Sequence, residues 1–98
     1  MINNATLVQR IEDVKPTDIV PMELAWVKSA LEIEAVFIFC EGVLDSVNPS
    51  KETVETALTL TGELAVSLAV YGYKDDALKY AERHGKIEQK YQHLLQPQ

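Results

Sequence analysis

The chain has a single cysteine, Cys40, so no disulfide can close within it. That thiol ends the apolar run from Ala35 to Cys40, where the ordinary state is a buried and inert side chain. A reactive thiolate needs an electropositive, accessible setting, and the nearest charges here are the acids Glu34 and Glu41. Metal ligands are equally scarce. The two histidines, His84 and His93, stand nine residues apart, more than two helical turns. No Glu-x-x-His pair occurs, and one cysteine supplies no zinc set. His84 is expected to pack in a helix seam with its ring partly wet.

Glycine is sparse and scattered. Gly42, Gly62, Gly72 and Gly85 are isolated, so no glycine-rich loop exists to cradle a phosphate. Ser29, Ser46, Ser50 and Ser67 lack the strained Gly-x-Ser-x-Gly turn of a hydrolase nucleophile. Among the carboxylates near apolar helix surface (Glu32, Glu34, Glu41 and Glu63), Glu63 is the best candidate for a perturbed acid, because burial would raise its pKa. One turn around it supplies only Thr59 and Ser67 as polar company. The expectation is therefore no enzyme activity, no cofactor and no metal.

A basic leader followed by an apolar stretch is also missing at Met1–Asn4, and the expectation is a soluble, cytoplasmic protein. The stretch Thr56–Tyr73 approaches membrane-spanning length, but Glu63, its hydroxyl side chains and the flanking Glu52 and Glu55 argue against insertion. Net charge is −6, unevenly placed. Residues 1–73 hold four bases against eleven acids, whereas residues 74–98 hold five bases against four acids. An acidic body argues against general nucleic-acid binding, which rests on neutralising phosphates. A basic stripe does recur on the last helix at Lys79, Arg83, Lys86 and Lys90, without interleaved aromatics. Its expected role is a solvated face or a face paired with the acidic body.

What is present is helical periodicity. At 98 residues and 47% hydrophobic content the chain is expected to form one domain, residues 1–98, with an adequate but thin core. Between Glu55 and Lys74 the only charge is Glu63, and the markedly polar positions narrow to a stripe at Thr56, Thr59, Glu63 and Ser67. A helix apolar over most of its circumference must be covered by several neighbours, so this one is expected at the centre. A short first helix is expected from about Asn4 to Val14, capped by Asn3 or Asn4, with Leu7, Val8, Ile11 and Val14 as its apolar stripe. Pro16 and Pro21 break the chain between it and a second helix running from near Pro21 to about Val47. On that helix Leu24, Val27, Leu31, Ala35 and Ile38 form one apolar line, and Trp26, Ala30, Ile33, Phe37 and Leu44 form another. The central helix follows Asn48–Ser50 and ends at Gly72, the natural left-handed terminator. The last helix opens at Lys74 or Asp75 and carries a seam at Tyr80, His84, Ile87, Tyr91 and Leu94, with a possible break at Gly85. Gln96–Gln98 should fray.

Over residues 61–94 the spacing of Leu64, Ala65, Leu68, Gly72, Ala77 and Ala81 is similar to the small and apolar positions of a tetratricopeptide repeat. Thr61 stands where tryptophan is common in that repeat, and no second copy is present. The resemblance implies a helical hairpin packed closely through small residues, without an array and without family membership.

The sequence thus predicts an all-α fold: a small antiparallel bundle of three long helices plus a short N-terminal one. The expected function is non-catalytic protein–protein interaction, as a small homodimer, adaptor or assembly factor that also meets another protein. The second helix carries apolar surface in excess of what one small domain can cover, at Val36, Phe39 and Val43 with Cys40 alongside. Tyr80, Tyr91 and Leu94 form a second candidate interface. The alternatives are a small acidic antagonist that mimics nucleic acid or fills a basic groove, and a ligand-binding bundle.

Overall fold

The computed structural model describes the backbone of residues 3–15, 23–46 and 48–95, and in the second helix the side chains from residue 32 onward. Five helices follow in order: α1 (Asn4–Asp13), α2 (Glu23–Ser46), α3 (Lys51–Val70), α4 (Lys74–Lys90) and α5 (Gln92–Leu95). No strand occurs among the described residues. The expected helix start at Pro21, the proline break, the side-chain placement of Leu24, Trp26, Val27, Ala30 and Leu31, and the placement of Val47 and residues 96–98 lie outside the described residues.

Local chemistry sets the boundaries. The Asn3 side chain accepts from the Thr6 amide at 2.8 Å and caps α1. Ser50 does the same for α3 through the Thr53 amide at 3.2 Å. Gly72, at φ +95°, is the left-handed residue that turns α3 into α4. The continuity of the last helix at Gly85, left open by the sequence, is decided by the structure. α4 runs straight through this glycine, and the helix ends instead at Tyr91, after which the single turn of α5 begins.

The α3–α4 hairpin is the spine. Small residues line its contact: Ala65, Ala77 and Ala81 are buried, as the spacing predicts, and Ala57 and Ala69 are buried with them. Two apolar clusters fill the interior. The first joins Leu7 and Ile11 of α1 to Ile33 and Phe37 of α2 and to the Ala65–Ala69 end of α3. The second joins Cys40 and Leu44 to Val54 and Leu58, with Ile87 and Tyr91. These pairings run α2 antiparallel to α3, and α1 antiparallel to α4. Along both α3 and α4 the buried polar residues, Thr61 and His84, fall between the two clusters. α3 is by length and composition apolar enough to cross a bilayer, with mean hydropathy 1.2, but half of that stretch is buried inside this fold, as in a core helix.

Two expected assignments are corrected. His84 is not partly wet: its ring is fully buried. The second apolar line of α2 (Ile33, Phe37, Leu44) faces the core, whereas Ala35 and Ile38 of the first line face solvent. The hairpin offers α2 one groove, and the line carrying Phe37 fills it, which turns the opposite line outward.

Candidate interaction surface

The outer face of α2 collects Ala35, Ile38, Phe39 and Gly42, all exposed. Ile38 and Phe39 are 59% and 70% exposed, the two most exposed large apolar side chains among the described residues. Val36 and Val43 border them on the side toward α3, half-buried, and Val36 also packs on the second cluster. Glu32 and Asp45 mark the two ends of this stripe, and no charge falls between them on it. At Gly42 an added Cβ would meet nothing within 4 Å. Glycine inside a helix costs about 1 kcal/mol relative to alanine, and no contact among the described residues requires it here. Ser46 returns its hydroxyl to the Gly42 carbonyl at 2.9 Å, which keeps the backbone satisfied there.

The edge of the stripe toward α4 is electrically closed. Arg83 donates to both Glu34 and Glu41, and its guanidinium lies 5.0 Å from the centre of the Phe37 ring and 5.7 Å from that of Tyr80. The two rings pack together with centroids 4.9 Å apart. Lys90 donates to Asp45, and this hydrogen bond, with the lysine charge, holds the Asp45 carboxyl below its usual range. Half of the basic stripe on α4 is therefore consumed by the acids of α2. Lys79 and Lys86 remain exposed and form no ion pair among the described residues.

The structure separates the other expected interface residues. Cys40 is buried against α3, and burial, followed by Glu41, raises its thiol pKa, so it is an inert core side chain. Tyr91 is buried as well, its hydroxyl donating to the Leu44 carbonyl at 2.9 Å, and so it faces this chain's own α2. Leu94 is half-buried against the same cluster. Tyr80 is half-buried, its ring taken up by Phe37. The second candidate surface therefore belongs to the interior seam, whereas Phe39 and its neighbours remain presented.

Elsewhere, Glu63 is exposed on the outer strip of α3 and pairs with Arg10 at 3.2 Å. Ser67 turns its hydroxyl back to the Glu63 carbonyl, so among the described residues Arg10 of α1 is the polar side chain from another element that reaches that carboxylate. No group of three or more metal-ligating side chains gathers among the described residues. The outer strip of α3 is wider and more apolar than its four polar positions imply, since Leu60, Val70 and Tyr71 are exposed with them. The chain matches no protein-family model, no curated protein and no solved structure.

That Ile38 joins Phe39 outside is not legible from periodicity, because both apolar lines of α2 have equal periodic claim to the core. A polar node at His84 was also missed. Its signal was legible: Ala77, Ala81 and Gly85 recur every four residues on α4, the spacing of a face that a neighbouring helix approaches closely.

Proposed function

We propose that this chain is a non-catalytic interaction module that pairs with a second copy of itself through the outer face of α2. The observation that carries the reading is the adjacent exposure of Ile38 and Phe39 on a stripe without charge from Ala35 to Gly42. Contiguous exposed apolar surface on a small folded protein marks an interaction site. A single helix stripe is self-complementary about a twofold axis, the commonest symmetry of homo-oligomers. In such a pair Gly42 lets the facing backbone approach, and Phe39 supplies the bulk that fills the space beside it. The neutralised edge toward α4 supports the same reading, because Glu34, Glu41 and Asp45 already have basic partners and do not set like charges against a facing copy.

Sedimentation equilibrium tests this directly. The parent chain should sediment as a dimer, and Phe39→Lys should shift it to monomer with its helical circular dichroism unchanged. Gly42→Leu should also weaken the dimer while leaving each helix intact, because the added side chain blocks close approach. A parent chain that stays monomeric at high concentration would overturn the proposal.

A further inference from the structure

We propose that α1 is held to the α3–α4 hairpin by a proton-sensitive latch at His84, so that acid loosens this helix before the rest of the fold. His84 is completely buried and both ring nitrogens are engaged. Nε2 lies 3.1 Å from the Leu58 carbonyl of α3, which can only accept, so Nε2 carries the proton. Nδ1 lies 3.1 Å from the Asn4 side-chain nitrogen of α1, and in the neutral ring it accepts from that donor. The same Asn4 nitrogen donates to the Ala81 carbonyl at 2.7 Å. That second bond fixes which way the amide points. A proton on Nδ1 would set N–H against N–H, and rotating the amide to offer its oxygen would set oxygen against the Ala81 carbonyl. Neither orientation of Asn4 satisfies a charged ring.

The surroundings make this mismatch felt at α1. No charged side chain of α1 meets the ring, where Asn4 is its polar neighbour and Arg10 reaches away to Glu63. From α3 it meets the Leu58 carbonyl and the backbone of Gly62, and Glu63 points outward to Arg10. On α4, Arg83 is occupied by the acids of α2, so among the described residues Glu88 is the charged group whose field reaches the ring. Burial lowers the His84 pKa, and Glu88 and the Leu58 bond offset part of that shift. Glu88 itself accepts from the Asn4 backbone amide at 2.7 Å, at the positive end of α1, and Lys74 donates to the Glu12 carbonyl at 2.9 Å near its negative end. A ten-residue helix is not stable by itself, so α1 depends on these contacts and on Leu7 and Ile11. Its departure bares a groove of small residues that includes Ala77 and Ala81.

Amide hydrogen exchange on the full chain, corrected for intrinsic rates, reads the latch between pH 7.5 and 5. The opening constant of the Leu7–Ile11 amides should rise by up to tenfold per pH unit below about 6.5. It should level off at the midpoint that the His84 ring shows in the folded protein by NMR. At each pH the α1 amides should open more readily than those of Leu58–Ala69 in α3. In His84→Gln, whose amide supplies both a donor and an acceptor, the pH dependence should disappear. An α1 constant that ignores pH overturns the latch, as does one equal to that of α3 throughout or one that keeps its slope in His84→Gln. Should that variant not fold, agreement or disagreement between the ring midpoint and the α1 plateau in the parent decides the matter.

Discussion

Arg83 and His84 are neighbours on α4 and fasten different helices by opposite physics. Arg83 reaches outward to α2, where two carboxylates and the Phe37 ring, with Tyr80 of its own helix, surround a guanidinium still in contact with water. His84 faces inward, where a dry, neutral ring joins Asn4 of α1 to Leu58 of α3. The first attachment tolerates charge because solvent and counter-charges share it. The second tolerates none, because a buried charge without a partner costs several times what a hydrogen bond contributes. One α-helix thus holds one neighbour with a clamp that salt can weaken, and another with a node that a proton can break.

The largest test of this contrast lies beneath the clamp. Phe37→Ala should cost about 3–5 kcal/mol in urea unfolding, through the cavity left at the α2 contact. A small loss would mean that α2 is held by its ion pairs and not by the first apolar cluster. Gly85→Ala probes the other attachment. A Cβ there would stand 2.8 Å from the Asn4 Oδ1, and that side chain is pinned by two other bonds. The expected net loss is about 1–2 kcal/mol, against a gain of about 1 kcal/mol for alanine in an unobstructed helix. A stabilised variant would show that Asn4 moves aside freely.

Acid comes next. His84 titrates below 6.5 in the folded chain, so the unfolded chain binds the extra proton first as pH falls. The stabilisation from the neutral ring is fully present above about 6.5 and is lost as pH drops toward the folded value, by at most about 1.4 kcal/mol per pH unit. Unfolding free energies measured at pH 7.5 and 5.5 should differ in that direction, and His84→Gln should flatten the difference. Arg83→Ala should cost about 1 kcal/mol, less in high salt, and should leave this pH response intact. The smallest effect on the monomer belongs to Phe39→Lys, within about 0.5 kcal/mol, since its ring touches solvent in the folded chain. Its measurable consequence is on association.

Helix number and type outside the single turn of α5, the turn at Gly72 and the central place of α3 were legible in the sequence, and the cap of α1 was narrowed to Asn3 or Asn4. Each rests on near-neighbour chemistry or on a 3.6-residue period, and both are written along the chain. The candidate surface was only partly legible. Periodicity shows that α2 has two apolar lines but not which one the hairpin groove will take, and the sides of Ile38 and Ala35 were decided by that docking. Tyr91 and Leu94 look like surplus surface on an isolated helix, but they turn inward once α2 and α3 lie against them. The fate of Gly85 was likewise tertiary. Glycine in a helical pattern reads as a weak point, and here it is the clearance for a residue 81 positions earlier, Asn4. Sequence determined which segments are helices and, at Gly72, where one gives way to the next, because those energies are local. Tertiary structure decided which faces remain exposed and which polar groups meet, because those depend on the shape of the space left between helices distant in sequence.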